Sequence, residues 1–403
     1  MTAQQIDTVT DVPVAVVGAG PAGLMLAHLL GRAGVETVAI DTRTREEIET
    51  TQRAGILEAD AARDLIESGV SDRILRDGYE HEGIELRFDG RAHRIDFKEL
   101  VGESVWLYPQ TDVFIDLADA RARDGGTVHF GVSDTEVLDV ETDAPRVRWT
   151  APDGTRHEVR ARYVVGSDGS RSICRDLIPE GQRTQYFKEY PFAWFGIMTH
   201  APMSAPELVY AQSEHGFALI SQRTESVQRM YFQCDPEESA DAWSDDRIWE
   251  TLQARVAGED GFRLAEGPIF EKTVLRFRSF VQEPMRWGSL VLAGDAAHTV
   301  PPTGARGLNL ALHDVKVLAE VLLRALAGEG PDVLEEYQPR ALRRVWRSQN
   351  FSYWMTQLLH HAPGAGAFDI RRQVGELDNV VGTRAGRTYL AEQYTGWPSR
   401  NQE

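Results

Sequence analysis

The sequence predicts an α/β fold: a doubly wound, Rossmann-like parallel sheet that carries a β-sheet insertion and ends in a helical C-terminal region. Three observations predict it. The apolar run 14–17 enters the turn Gly18-Ala19-Gly20-Pro21-Ala22-Gly23, and the next strand closes on an acid, Asp41. A second apolar run, 163–165, ends in Gly166-Ser167-Asp168-Gly169. A third, 290–293, ends in Gly294-Asp295 and leads through Pro301-Pro302, Gly304 and Gly307 to a helix start at Leu308-Asn309. Each of the three is an apolar strand that stops at a glycine and an acid, the pattern of a ligand crevice at strand carboxyl ends.

Taken in order, Gly18, Gly20 and Gly23 permit a tight turn, close backbone approach to a pyrophosphate and contact between helix and sheet, while Asp41 suits a ribose hydroxyl. Residues 14–75 read as strand, helix, strand, loop, helix. Residues 84–88 and 91–97 alternate around Asp89-Gly90, which predicts a hairpin. Helical periodicity returns over 111–123, and Asp153-Gly154 turns another hairpin before the second apolar strand. A β-rich block spans 185–233, with alternation at 207–210 and 229–232 that implies one packed and one open face, a sheet able to wall a pocket. A helix follows over 245–256. Beyond Leu308 the chain reads as helical, and Trp346, Phe351, Trp354, Met355 and Leu358 form a stripe that is either core or a subunit interface. Residues 1–79, 103–184 and 279–350 are therefore expected to form the nucleotide-binding domain, 80–102 and 185–278 a β-rich substrate domain, and 351–403 a helical C-terminal, interface region.

The chain of 403 residues is long enough for two or three packed units, and 42% hydrophobic content supports cores of that size. A net charge of −19 with no basic stripe argues against nucleic acid and requires local positive charge wherever an anion binds. Cys174 and Cys234 are far apart and outside any CxxC spacing, so no disulfide framework and no metal site are expected. The first residues lack the basic stretch of a signal peptide, and the apolar segment 12–30 is broken by proline and glycine. A cytoplasmic protein with no membrane span is the expectation.

The ordered trio of motifs resembles the aromatic-ring flavoprotein monooxygenases, whose pattern is GxGxxG, then DG, then GD. The resemblance covers essentially the whole chain. Further matching stretches are Arg53-Ala54-Gly55-Ile56-Leu57-Glu58, Tyr190-Pro191-Phe192-Ala193-Trp194, Gly216-Phe217-Ala218-Leu219-Ile220-Ser221-Gln222-Arg223 and Gln393-Tyr394-Thr395-Gly396. Within the family the match is best to members that hydroxylate 4-hydroxybenzoate at the 3-position. The resemblance implies FAD as cofactor, NADH or NADPH and dioxygen as co-substrates, a small aromatic acid as substrate and a homodimer.

Tyr210, Ser221, Arg223 and Tyr231 fall on neighbouring predicted strands with polar tips able to converge. A guanidinium flanked by hydroxyls suits a carboxylate, because paired N–H donors match two oxygens; an ordinary surface arginine is the competing reading. The resemblance implies that Ser221, Arg223 and Tyr231 hold the substrate carboxylate. It also implies that Tyr210 and Tyr394 relay the phenol proton, that His81 ends this relay near solvent, and that Pro302 and Thr303 lie beside the phenol, Pro302 through its carbonyl. A deprotonated phenol is electron-rich at the ortho carbon, which then attacks an electrophilic oxygen delivered by the flavin. Asp295, Asp168, Arg53, Gln110 and the amides of Leu308 and Asn309 would contact FAD together with Gly18, Gly20, Gly23 and Asp41.

Arg43, Glu47, Thr51, Arg171 and Arg278 correspond to positions that meet the nicotinamide nucleotide. The familiar NADPH-using pattern has tyrosine at Glu47 and arginine at Thr51, and Arg171 stands where histidine is frequent. Glu46, Glu47 and Glu49 would repel a ribose 2′-phosphate, so NADH is expected to be preferred. Ile56, Val209 and Ile220 are expected to line the pocket and to choose among para-substituted benzoates such as 4-aminobenzoate and 3,4-dihydroxybenzoate. From other classes, an NAD-dependent dehydrogenase would leave Asp168 and Asp295 without purpose, and a non-catalytic flavin protein would leave Arg223 and the tyrosines without one.

Overall fold

The computed structural model describes residues 6–51 and 55–397. Its first sheet places the strands Leu290–Leu292, Arg156–Gly166, Thr8–Val17, Thr37–Asp41 and Thr127–Phe130 side by side, all parallel. Around the crevice the central strands end in apolar runs, 14–17, 163–165 and Leu290–Leu292, buried as expected for strands covered on both faces. The register sets Val17 beside Gly166 and Gly166 beside Leu292. Three distant sequence motifs therefore leave the sheet along one edge. The helices Pro21–Arg32 and Gly307–Arg324 pack against each other and cover this sheet, joined in one core by Leu24, Leu30, Val315 and Leu322.

A second sheet runs His298–Thr299, Ile269–Glu283, Thr184–His200, Val227–Cys234, Gly216–Thr224, Leu208–Ser213, Gly83–Phe88 and Arg91–Asp96. It is antiparallel except where Leu208–Ser213 lies parallel to Gly83–Phe88. Asp89 and Gly90 turn the predicted hairpin with φ of 48° and 73°, a conformation that asparagine, aspartate and glycine tolerate best. A small third sheet joins Ile56–Glu58, Val105–Leu107 and Tyr79–His81.

The expectation of one open face on the second sheet is wrong. Leu208, Val209, Tyr210 and Ala211 are all buried, as are Phe217 to Ile220 and Met230 to Phe232. The helix Asp245–Val256 closes the rear through Ile248, Leu252 and Val256, which share a core with Val209, Ala211, Ala218, Ile220 and Met230. Tyr210, Leu219, Tyr231, Phe217 and Trp194 occupy the front core. Val209 and Ile220 therefore do not line the pocket face. Burying each such aliphatic side chain is worth about 1.5–3 kcal/mol, enough to cover a face that alternation alone would leave wet.

Two smaller differences concern the helices. The stretch read as a loop after Asp41 contains the helix Arg45–Thr50, nucleated by a capping box between Thr44 and Glu47. In the C-terminal stripe Phe351, Met355 and Leu358 are buried in the helix Tyr337–Leu359, whereas Trp346 is 42% exposed and edges against Tyr186. The helices Ala367–Gly382 and Arg384–Thr395 complete the C-terminal region. Among the described residues, no helix is long and apolar enough to cross a membrane, and no cluster of potential metal ligands occurs.

Candidate active site

The glycine turn divides its three glycines by function. Gly18 has φ of +103°, and a Cβ there would lie 2.3 Å from the Ser167 carbonyl oxygen. A Cβ on Gly23 would lie 1.9 Å from the Gly18 oxygen, so this residue sets how closely the helix approaches the sheet. Gly20 faces open space instead. It caps the helix Pro21–Arg32 with no side-chain hydrogen bond and no acid in the first turn, leaving amide donors and the positive dipole end for an anion. Asp41 closes the turn: one carboxylate oxygen accepts from the Ala19 amide at 3.1 Å, and the other accepts from the Arg43 amide at 3.0 Å. Arg43 Nε and Nη2 donate to the same two oxygens at 3.2 Å each, which fills the roughly four acceptor positions of a carboxylate, so a ribose hydroxyl would reach Asp41 by displacing the exposed Arg43 side chain.

The second and third motifs brace this edge in different ways. Asp168 was expected at the cofactor, but both of its oxygens turn into their own loop. They accept from Ser172 Oγ at 2.6 Å, the Ile173 amide at 2.7 Å and the Cys174 amide at 3.2 Å. Asp295 sits on the short turn Gly294–Ala296, which is held from behind by Asp314. The buried Asp314 carboxylate accepts from the Gly294 amide at 2.9 Å and from His298 Nε2 at 2.6 Å. Burial opposes charge on His298, but the adjacent Asp314 carboxylate outweighs it and raises the imidazole's affinity for its proton. The helix Gly307–Arg324 begins here, again without a side-chain cap or an acid in its first turn. Asn309 accepts from the Glu58 amide at 2.9 Å and donates to the Ile56 carbonyl at 2.8 Å, which ties the helix start to the strand Ile56–Glu58. Gln110 opens the helix Gln110–Arg123, half-buried. Arg53 lies outside the described residues. Two bare helix starts on one sheet edge, one of them capped by an open glycine, fit the phosphates and ring of a dinucleotide such as FAD.

On the front of the second sheet, Tyr210 pairs with Leu219 and Leu219 with Tyr231, while Ser221 pairs with Arg229. Alternation along these strands brings Tyr210, Ser221, Arg223, Arg229 and Tyr231 to one face. Arg223 is 7% exposed, and burial, reinforced by the cation of Arg229, pushes its guanidinium down to about 10. Ser221 donates to the Gln222 carbonyl at 3.1 Å. Burial raises the Tyr231 hydroxyl, and its ring rests on the bare backbone of Gly196, where a Cβ would come within 2.8 Å. Arg229 was missed in the sequence. It lies 5.1 Å from the Tyr231 ring centre, and its buried Nη1 has no protein partner among the described residues. Its signal was the polar phase of the alternation at 229–232, which placed it on the same face as Tyr231.

The hydroxyls of Tyr210 and Tyr394 lie 2.8 Å apart, and Tyr210 donates to the Thr303 carbonyl at 3.2 Å. That leaves Tyr394 to donate to Tyr210. Burial pushes the Tyr394 hydroxyl up to about 12, although Tyr210 and the nearby Arg306 cation both pull the other way. The Pro302 carbonyl accepts from the Ala305 amide at 2.9 Å in a tight turn and keeps a second lone pair, while the neighbouring Thr303 carbonyl is the one that meets Tyr210. His81 departs further. It is 1% exposed rather than at the solvent boundary, burial pushes it down to about 4, and its ring meets Gln222 at 2.7 Å. No direct hydrogen bond among the described residues joins it to the tyrosine pair. Beneath the pair, Glu58 forms a buried ionic triad with Arg306 and Arg344, and Arg344 also donates to the Trp397 carbonyl at 2.8 Å.

Residues 11–352 match the FAD binding domain family. The chain is 40% identical over 386 residues to the p-hydroxybenzoate hydroxylase of Acinetobacter baylyi, which covers 96% of this chain and 95% of that protein. The chain belongs to the FAD-dependent aromatic hydroxylases. A probable NADH-specific resorcinol 4-hydroxylase of Rhodococcus jostii is 25% identical over 359 residues, 81% of this chain and 62% of that protein. Among solved structures, p-nitrophenol 4-monooxygenase from Pseudomonas putida superposes with a TM-score of 0.81 at 20% identity, covering 97% of this chain and all of that one. Membership in this family sets aside the dehydrogenase and non-catalytic readings.

In the hydroxylase, the residues expected at the nicotinamide nucleotide are scattered by the fold. Arg43 spans both oxygens of Asp41. Glu47 is engaged in the capping box, accepting from the Thr44 amide at 2.7 Å, and Thr51 donates to the Glu47 carbonyl at 2.6 Å. Arg171 and Arg278 are exposed, with Arg278 opposite Glu189 across a strand pair.

Proposed function

We propose that the hydroxylase converts 4-hydroxybenzoate to 3,4-dihydroxybenzoate, consuming one dioxygen and one reduced nicotinamide and releasing water, with NADH preferred over NADPH. The observation that carries this reading is the sheet face itself: two buried guanidiniums, Arg223 and Arg229, share one packed surface with the hydrogen-bonded pair Tyr210 and Tyr394. Such a face suits a ring with an anion at one end and an acidic hydroxyl at the other.

Arg223 would take the carboxylate through paired N–H donors, with Ser221 and Tyr231 contributing hydroxyls, and the excluded water would make each charged contact stronger. At the opposite end, Tyr210 would accept the phenol's hydrogen bond and then its proton, passing its own proton to Tyr394. For that exchange the Tyr210 O–H turns from the Thr303 carbonyl toward Tyr394, whose own proton turns away from Tyr210. Deprotonation places charge on the substrate oxygen and electron density on the neighbouring ring carbon, which forms the new bond to oxygen. Bound FAD supplies the remaining chemistry, taking electrons from the nicotinamide and delivering one oxygen atom of dioxygen to the ring. The cradle of Gly18, Gly20, Gly23 and Asp41, with Gln110, Asp295 and the amides of Leu308 and Asn309, would hold it. Asp168 would act by keeping its loop in shape.

The coenzyme preference is supported by the anionic helix Arg45–Thr50, in which Glu46, Glu47 and Glu49 surround the approach while Arg45 is paired with Glu49 and Asp119. The name of the Rhodococcus jostii relative points the same way. A panel of ring-substituted benzoates, scored by identified product per NADH oxidised, tests the substrate. Equal or better coupling with 4-aminobenzoate or 3,4-dihydroxybenzoate would overturn the choice of 4-hydroxybenzoate, and a higher kcat/KM with NADPH would overturn the coenzyme reading.

A further inference from the structure

Gln222 lies between Ser221 and Arg223 on the strand Gly216–Thr224, but alternation sends its side chain to the opposite side from theirs. It is 3% exposed. Its amide nitrogen donates to the Pro206 carbonyl at 3.3 Å and lies 2.7 Å from His81 Nε2. The proline carbonyl can only accept, so it fixes which end of the amide faces inward: the NH2 group. An amide NH2 cannot accept a hydrogen bond, so His81 Nε2 must be the acceptor and the imidazole proton must sit on Nδ1. Nδ1 is buried and has no partner among the described residues.

We infer that Gln222 is a latch on the proton path, a positioning residue that holds His81 as the neutral Nδ1–H tautomer and blocks Nε2 until the amide swings away. This rests on the reading that Tyr210 and Tyr394 move the phenol proton. An imidazole carries a proton onward by taking one on one ring nitrogen and releasing one from the other. With the amide in place, His81 can donate from Nδ1, through a bridging water, but cannot receive at Nε2. Opening the latch exposes Nε2 and completes the path. Because the amide sits next in sequence to Ser221 and Arg223, a shift of this strand on carboxylate binding would reach the latch directly. The groups that charge this corner are few. Glu207 faces His81 from the neighbouring loop and is itself paired with Arg94; Glu80 lies next to His81 and accepts from Ser104 Oγ at 2.6 Å. The Glu207 carboxylate favours the imidazolium, so the latch and burial together oppose it.

The test uses the FAD-loaded enzyme with 15N-labelled histidine. His81 is assigned among the 11 histidines by comparison with His81→Asn. In the wild type, NMR should show His81 neutral with the proton on Nδ1 and without titration near neutral pH. Gln222→Leu removes the donor and should let the proton populate Nε2. It should also raise the midpoint of His81 titration by about one pH unit, the equivalent of one hydrogen bond. Gln222→Glu, which can accept from Nε2–H, should raise it further. The pH profile of kcat for hydroxylation should move in the same direction in both variants, with KM for the aromatic acid within about twofold. An unchanged tautomer in Gln222→Leu overturns the latch. A large rise in KM with an unmoved pH profile assigns Gln222 to the support of Arg223 instead. If the tautomer changes as expected but neither Gln222→Leu nor His81→Asn alters the pH profile, His81 lies off the proton path and the latch is likewise overturned. Loss of hydroxylation in His81→Asn but not in Tyr210→Phe would instead refute the tyrosine reading on which the latch depends.

Discussion

Replacing Arg223 by methionine should strengthen the empty protein while weakening its grip on the substrate. The Arg223 side chain is 7% exposed, and its guanidinium falls from its ordinary 12.5 to about 10, chiefly through burial and then through the facing Arg229 cation. A fall of that size corresponds to about 3 kcal/mol of lost preference for the charged form. For a basic group with a depressed pKa this is a cost of folding, present at every pH below about 10 and relieved only as pH rises through that value. Methionine fills much of the same volume without the charge, so unfolding free energy in the absence of ligand should rise by roughly 1–3 kcal/mol. A bound carboxylate returns that cost in the wild type, and its loss should weaken 4-hydroxybenzoate binding by roughly 2–5 kcal/mol. Urea melts of the FAD-loaded protein, with and without saturating 4-hydroxybenzoate, measure both numbers at once. Lower stability of the ligand-free variant together with unchanged ligand stabilisation would refute the reasoning, because Arg223 would then be a structural cation rather than an anion seat. The wild type's affinity should also decline above pH 10, as the guanidinium begins to lose its charge.

Tyr210→Phe should leave the substrate Kd within about twofold and slow hydroxylation by roughly 10²-fold, with NADH consumption diverted to hydrogen peroxide; equal product yield would remove Tyr210 from proton transfer. Gly20→Ala should fold normally and lose FAD affinity, whereas Gly23→Ala, whose Cβ would meet the Gly18 oxygen at 1.9 Å, should lower Tm by several degrees. The opposite order, by melting and flavin fluorescence, would mean that the open side of Gly20 is not the cofactor side. Thr51→Arg combined with Glu47→Gln, which keeps the cap geometry, should raise kcat/KM for NADPH relative to NADH by tenfold or more; no change would place the 2′-phosphate away from this helix. Glu58→Gln should destabilise the fold by about 3–5 kcal/mol in chemical unfolding, because it leaves Arg306 and Arg344 buried beside each other without their shared carboxylate.

The parallel sheet was legible because its signals are local: valine-rich runs, each followed by glycine and an acid, specify strand, turn and crevice within a few residues. The proposed carboxylate clamp was partly legible, since alternation puts Tyr210, Ser221 and Arg223 in phase. Arg229 escaped because its own strand offered no motif, only a phase relation to Tyr231. What could not be read was which partner each polar group would take. Asp168 accepts from three donors in its own loop, Tyr210 meets the carbonyl of Thr303, and His81 is buried against a glutamine 141 residues away. The rear burial of Val209 and Ile220 is of the same kind. It depends on where the helix Asp245–Val256 docks, and that is a tertiary event no pattern within one strand records.

The solid backing of that sheet bears on anyone who would retarget the enzyme by directed evolution. Libraries at Val209, Ile220 and Met230 would sample lesions of the interior, each variant first judged on whether it survives expression. Novel selectivity should come instead from the forward-facing row, at Leu219, Ser221 and Tyr231, where a change in shape meets the aromatic guest before it meets the scaffold. The helix behind them gives this row a firm mounting.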